Sequence, residues 1–238
     1  MKFLDKYKLK LWKKKYCNSK NSSMAVCHYL ESIEKNKIFT EPEKNRYIIL
    51  DTETTGLDYK NDQVLSIGAI RIENLEINIS DSFEVILQTE TAGDKESIAV
   101  HGIRTQDVKQ GIQRDFAFEQ FLYFLQGDII VGHHILFDKL ILSNNIKKIF
   151  SIELLNPIID TFDVAIYYEN LVKKRNVIPE EANPEEFSLD NLLNRFRIKS
   201  SGRHTSIGDA LLTAELFLRM MKKLIQQKNF RIESLIKY

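Results

Sequence analysis

Tyr47-Ile48-Ile49-Leu50-Asp51-Thr52-Glu53-Thr54-Thr55-Gly56 is the stretch on which both fold and chemistry turn. Its first four residues are apolar and run straight into a turn, the pattern of a short buried strand. Asp51 and Glu53 stand two apart at the end of that strand. Side chains alternate across a strand, so both carboxylates point to one side, close enough to share a cation. Thr54-Thr55-Gly56 then reads as a tight turn whose backbone N–H groups and glycine let a substrate approach closely. Two surface acids before a turn would look similar, but the apolar run Ile48 to Leu50 leads directly into these two. Next to buried chain, a bare negative charge is unfavourable unless something positive neutralises it.

Working outward, Gln63 to Ile72 predicts a second strand, with Gly68-Ala69 allowing close packing, and Ser82 to Gln88 a third after a turn at Glu73-Asn74. Such short connections favour antiparallel pairing. Phe116 to Leu125 reads as a helix, Asp128 to Gly132 as a strand, Leu136 to Asn144 as a helix, and Pro157 to Asp160 as a short strand leading into a helix through Tyr168. Asn176 to Phe187, rich in Glu and Pro, reads as a loop. Ser188 is an N-cap for a helix over Leu189 to Phe196. The last helix starts near Ser206, with Ile207, Ala210, Leu211, Ala214 and Leu218 on one face. Antiparallel strands followed by strand–helix alternation predict an α/β fold, with a central mixed five-stranded sheet flanked by helices.

Residues 1–44 have a different texture, ending in the linker-like Thr40-Glu41-Pro42-Glu43, and the catalytic domain is expected over residues 45–238. Lys2, Lys6, Lys8, Lys10, Lys13, Lys14, Lys15 and Lys20 crowd this segment against Asp5 alone. Phe3, Tyr7 and Leu11, joined by Leu4, Trp12 and Tyr16, recur at helical spacing and predict a basic amphipathic helix. A helix packed on the body, a nucleic-acid arm, a partner-docking helix and a membrane-surface helix all fit that pattern. The net charge of the 238-residue chain is only +1, so global charge says nothing about nucleic acid. Cys17 and Cys27 are too few for a disulfide framework. With no apolar run near the roughly 20 residues that span a bilayer, the expectation is a cytoplasmic protein off the membrane.

Two further clusters carry acids. Asp138 follows Phe137 at a strand-to-helix junction after Val131-Gly132-His133-His134. An acid there could simply complement a helix dipole. His133 and His134 invite a zinc reading, but neighbours in extended backbone point to opposite faces and do not readily chelate one ion. Asp209 lies on the first turn of the last helix, with His204 five residues earlier in a Ser/Gly loop that could carry the imidazole over metals held behind it.

Residues 46–225 resemble the DEDD 3′→5′ exonuclease superfamily, in the DEDDh branch that holds the proofreading epsilon subunits of bacterial DNA polymerase III. The family's Asp-x-Glu-Thr-Thr-Gly stands as Asp51 to Gly56. Its His-Asn-x-x-Phe-Asp reads His133 to Asp138, and its His-x-x-x-x-Asp-Ala runs from His204 to Ala210. His134 replaces the common Asn, a departure that touches substrate contacts rather than metal ligation. The resemblance also covers His101-Gly102-Ile103, Ile159-Asp160-Thr161 and Ser188 to Leu192. It implies a ribonuclease-H-like fold and two Mg²⁺ or Mn²⁺ ions held by Asp51, Glu53, Asp138 and Asp209. All-oxygen ligands suit those hard cations. It implies His204 as general base, an imidazole being suited to proton transfer near neutral pH. Thr54, Gly56, Leu57, His101 and Phe137 are implied to contact the terminal nucleotide, with Leu57 as a wedge against its base. The product would be a nucleoside 5′-monophosphate from a single-stranded or frayed 3′ end of DNA. RNA trimming, short-oligonucleotide clearance, and a non-catalytic nucleic-acid-binding or polymerase-associated module stay open. Partners implied are a DNA polymerase subunit and a sliding clamp. Gln113-Arg-Asp-Phe116-Ala-Phe118 faintly resembles a clamp-docking peptide, though the spacing of its aromatics also fits core packing.

Overall fold

In a computed structural model of the chain, which describes residues 3–18, 23–93 and 95–238, the run at Tyr47 becomes the middle of a five-stranded mixed sheet. Strands β1 (Tyr47–Thr54), β2 (Val64–Glu73), β3 (Glu76–Ile86), β4 (Ile129–Gly132) and β5 (Ile158–Asp160) lie in the order β3-β2-β1-β4-β5. β1 pairs antiparallel with β2 and parallel with β4; β3 joins β2 antiparallel and β5 joins β4 parallel. This is the predicted α/β layout. The β2–β3 hairpin turns on Asn74 and Leu75, both at positive φ (53° and 57°), as two-residue hairpin loops require. β3 begins at Glu76 rather than Ser82. Its first half is polar and solvent-facing on an edge, so no apolar alternation marked it.

The helices follow as α1 (Phe3–Tyr16), α2 (Met24–Lys35), α3 (Lys95–His101), α4 (Thr105–Lys109), α5 (Arg114–Leu125), α6 (Leu136–Phe150), α7 (Thr161–Leu171), α8 (Leu189–Arg195) and α9 (Ser206–Leu224). α7, α8 and α9 bury their apolar faces on one side of the sheet, against Tyr47 and Ile49. α2, α5 and α6 cover the other side, against Ile48 and Leu50. A strand buried on both faces needs a continuous apolar run rather than alternation, which is why Tyr47 to Leu50 read so clearly. Ala210, Ala214 and Leu218 of α9 are buried as expected, whereas Leu211 is 39% exposed. Phe118 is fully buried on α5 while Phe116 is exposed, so half of the clamp-like peptide belongs to the core.

The N-terminal segment holds two helices instead of one. α2 buries Val26, Tyr29, Leu30 and Ile33, an i, i+3, i+4, i+7 stripe, and Tyr29 Oη donates to Asn156 Oδ1 at 2.8 Å. α1 seats Leu9, with Trp12 and Tyr16 packed against the same core, and leaves Leu4, Tyr7 and Leu11 exposed. The packed stripe is thus rotated from the predicted one. Lys2, Lys20 and the side chain of Phe3 lie outside the described residues. Cys17 and Cys27, read as too few for a framework, form a disulfide joining the end of α1 to α2 across Cα atoms 5.1 Å apart. Among the described residues no helix is long and apolar enough to cross a membrane.

Gly68 fixes where the last helix lands. It lies opposite Asp51 in the β1–β2 ladder. A Cβ added to it would fall 2.2 Å from Ile207 N and from Ser206 C, so only glycine lets the first turn of α9 press onto β2. Ser66, opposite Glu53, completes the contact through its hydroxyl, 3.0 Å from that of Ser206.

Candidate active site

Because α9 docks over Gly68, Asp209 on its first turn arrives beside the end of β1. Carboxylate oxygens of Asp51, Glu53 and Asp209 all lie within 4.8 Å of one another. Asp138, on the first turn of α6, is held on the other side of β1. Its Oδ1 accepts hydrogen bonds from Thr52 N at 3.0 Å and Thr52 Oγ1 at 2.7 Å. The parallel β1–β4 pairing brings α6 here, since β4 ends at Gly132 and the chain turns directly into that helix.

Asp51, Glu53 and Asp138 line a cleft of about 520 Å³ whose wall also includes Thr54, Gly56, Leu57, His101 and Phe137, all five expected substrate contacts, with Ser97 and His133; Asp209 and His204 lie outside that lining. Leu57 is 87% exposed at its rim, on a loop tied down by hydrogen bonds to Asp62 from Thr55 Oγ1 (2.7 Å) and Asp58 N (2.8 Å). Nδ1 of His101 accepts the Ile103 N–H at 3.0 Å, which leaves a ring proton on Nε2 in the neutral form. Burial lowers the pKa of His101 and favours that form. His204 is exposed on the loop before α9 at φ 64°, and its backbone N–H donates to Asp209 Oδ2 at 3.3 Å.

Comparison with known proteins agrees with this geometry. An exonuclease family model, that of RNase T, matches residues 48–217. The chain belongs to the RNase T exonuclease family. It is 31% identical to DNA polymerase III subunit epsilon of Rickettsia prowazekii over 178 residues, 74% of this chain and 73% of that protein. It is also 31% identical to the PolC-type DNA polymerase III of Thermotoga petrophila over 196 residues, 81% of this chain but 13% of that much longer protein. Among solved structures, E. coli exonuclease I in complex with a dA16 oligonucleotide superposes with a TM-score of 0.64 at 18% identity, covering 76% of this chain and 42% of that one. The cell-death related nuclease CRN-4 gives 0.62 at 16%, covering 76% and 64%. The fold is that of the ribonuclease-H-like exonucleases.

Within this exonuclease frame the electrostatics are strained. Burial pushes the pKa of Asp51 well up, and the charges of Asp138, Glu53 and Asp209 push it further. Burial, then Asp209 and Asp138, drives Glu53 up to about 7. Asp138 is raised as well, burial outweighing its Thr52 hydrogen bonds. One protein cation offsets part of this. Arg203 ion-pairs with Asp209 Oδ1 and holds Asp190 through Nε (2.8 Å) and Nη2 (3.2 Å). A single guanidinium against four carboxylates leaves a deficit of positive charge, and the donor set is entirely oxygen. The residues therefore fit hard divalent cations.

The protonation states give a testable pH dependence. A carboxyl whose folded pKa is raised contributes stability at low pH and loses it as pH rises through the folded value. His133, pushed down to about 3 mainly by burial, runs the other way, gaining stability with pH up to the ordinary imidazole range near 6.5. His101, lowered as well, behaves alike, and above about pH 6.5 each imidazole still gains about 0.4 kcal/mol, less than the three raised carboxyls lose together. In EDTA the melting temperature should fall between pH 6.5 and 8, with Glu53 alone accounting for roughly 1 kcal/mol, and Mn²⁺ should stabilise increasingly over the same range. A flat thermal-shift profile in EDTA, with an Mn²⁺ gain independent of pH, would contradict the buried-acid description.

Arg203 carries no motif signal beyond its place in the Ser/Gly loop before His204, whereas Asp190 lies in the family-like stretch Ser188 to Leu192 without a role of its own there. The opposite-face expectation for His133 and His134 is corrected. His134 has φ 55°, its N–H donates to Asp160 Oδ1 at 3.0 Å, and the two rings stand edge-on with centroids 4.5 Å apart. His133 Nδ1 lies 2.9 Å from Thr161 Oγ1.

Proposed function

We propose that this chain hydrolyses phosphodiester bonds at a single-stranded or frayed 3′ end, of DNA in the first instance, releasing nucleoside 5′-monophosphates. The observation that carries this is the convergence of Asp51, Glu53 and Asp209 to within 4.8 Å, beside an open cleft that Asp51, Glu53 and Asp138 line, with Asp138 held by Thr52. Asp51, Glu53, Asp138 and Asp209 would hold two Mg²⁺ or Mn²⁺ ions. When bound, such a pair supplies an acidified water and charge stabilisation of the phosphoryl transition state. Thr54 and Gly56 border the position of the terminal nucleotide, Leu57 presses on its base, and His101 with Phe137 closes the opposite wall. His204 takes the proton of the attacking water once its loop turns the imidazole inward. The family match begins at residue 48, which supports a catalytic domain over residues 45–238, with α1 and α2 as an added layer.

Proofreading beside a polymerase is the second reading, favoured by the kinship with epsilon and PolC-type proteins. Purified protein should degrade a labelled single strand, and a duplex with a mismatched 3′ end, faster than matched duplex or RNA. EDTA should stop the reaction and Mg²⁺ or Mn²⁺ restore it. Activity that survives EDTA, or an RNA-only preference, would remove the reading in whole or in its DNA part.

A further inference from the structure

Arg203 reaches the acids as an arm on a fixed base. That base is Gly202, whose carbonyl accepts the Thr205 hydroxyl at 3.0 Å. The same carbonyl rests on the first turn of α9, so closely that a Cβ on Gly208 would fall 1.9 Å from it. Thr205 caps that helix in turn, its Oγ1 accepting the Gly208 N–H at 3.2 Å. From this base the Arg203 side chain, largely buried, runs to Asp190 on α8 and to Asp209 on α9.

The two acids hold the guanidinium differently. Asp190 takes one whole edge, with Nε and Nη2 donating to its two oxygens, the forked geometry in which guanidinium and carboxylate match best. Asp209 takes Nη1 alone, at Oδ1. Releasing Asp209 therefore leaves the fork on Asp190 complete.

The need for a cation is also unequal. The Asp190 side chain is 61% exposed and that of Asp209 only 10%, so water can serve the first acid and hardly the second. Asp209 stands among other carboxylates, and the charge of Arg203 also opposes the burial-driven rise of Asp51 and Glu53. A guanidinium keeps its charge at every working pH. It cannot leave Asp209 by losing a proton, but a competing cation can displace it.

We infer that Arg203 is a positioning residue that competes with a divalent ion for Asp209, neutralising that acid in the metal-free protein and keeping only Asp190 once an ion is bound. The inference rests on the metal-ion reading above and adds what sets the affinity of the site. Calorimetric titration with Mn²⁺, beside melting curves in EDTA, tests it. If Arg203 leaves Asp209 open about one-tenth of the time, Arg203→Gln should lower the Kd for Mn²⁺ about tenfold. The same variant should melt at a lower temperature in EDTA, because crowded acids lose their cation. A merely bracing role predicts the opposite pairing, with ion affinity falling alongside stability. Asp190→Asn removes the resting place of the arm and should weaken Mn²⁺ binding, yet change nothing in the Arg203→Gln background. A general loss of negative charge would weaken binding in both backgrounds.

Equal or weaker Mn²⁺ binding by Arg203→Gln overturns the competition. Should that protein not fold, Asp190→Asn binding Mn²⁺ as tightly as the wild type overturns it instead. Wild-type binding without a gain in Arg203→Gln removes this inference alone; a wild type that binds no Mn²⁺ removes the metal-ion reading with it.

Discussion

Asp51→Asn should abolish turnover and, in the absence of metal, make the protein more stable. Asp51 is half-buried beside Asp138, Glu53 and Asp209, and every one of them raises its pKa. An amide of the same shape removes one member of a repelling cluster while leaving the packing of β1 intact. Relief of that repulsion is expected to add about 1–2 kcal/mol in EDTA, or roughly 2–8 °C for a chain of this size. Function moves the opposite way. Metal-borne stabilisation of a phosphoryl transition state amounts to several kcal/mol, so if Asp51 helps hold the ions, its loss should lower kcat by about 10³-fold or more. The wild type should gain about 2.7 kcal/mol from an ion present at one hundred times its Kd, and Asp51→Asn should gain far less. Melting curves with and without Mn²⁺, beside single-turnover digestion, read both halves. An Asp51→Asn protein that is destabilised in EDTA, or that digests at the wild-type rate, would show that this carboxylate neither suffers the crowding nor binds the ion.

His204→Ala should cost about 10²–10⁴ in rate, the usual worth of a general base, and leave Mn²⁺ stabilisation unchanged. The structure makes this a sharp test because His204 contributes two separable things. Its backbone holds φ 64° and donates to Asp209, and its exposed imidazole is free of that contact. Left-handed backbone is unfavourable for most side chains and least so for Asn. His204→Asn therefore keeps the loop geometry and removes only the base. Equal losses in the Ala and Asn proteins, with Mn²⁺ stabilisation intact, would assign the effect to proton transfer. Rescue by Asn would assign it to the loop. Wild-type kcat in both variants across pH 6–9 would end the role given to His204.

Much of this was readable along the chain. β1 announced itself because four apolar residues in a row suit a strand covered on both faces. Asp51 and Glu53 were legible as a pair because strand alternation is local. α5, α8 and α9 followed from apolar spacing and from Ser188, whose side chain accepts the Asn191 N–H. Other elements gave weaker signals. α2 carries a full helical stripe, but the reading of residues 1–44 rested on the lysine-studded stretch before it. The first half of β3 is an exposed edge with no periodicity to detect. The stripe on α1 was ambiguous, since Leu4-Tyr7-Leu11 and Leu9-Trp12-Tyr16 are equally helical, and only the position of α2 and α6 decides which of them packs.

The sequence by itself determined which residue types stand at the candidate site: carboxylates at Asp51, Glu53, Asp138 and Asp209, an imidazole at His204, and a small residue at Gly68. Tertiary structure alone decided that Asp209 meets Asp51 and Glu53, because that depends on sheet order and on α9 pressing against Gly68. It also set Arg203 against Asp209. Alternation and helical spacing are properties of neighbours in the chain, whereas the charge a carboxylate feels depends on which distant segments the packed core places beside it.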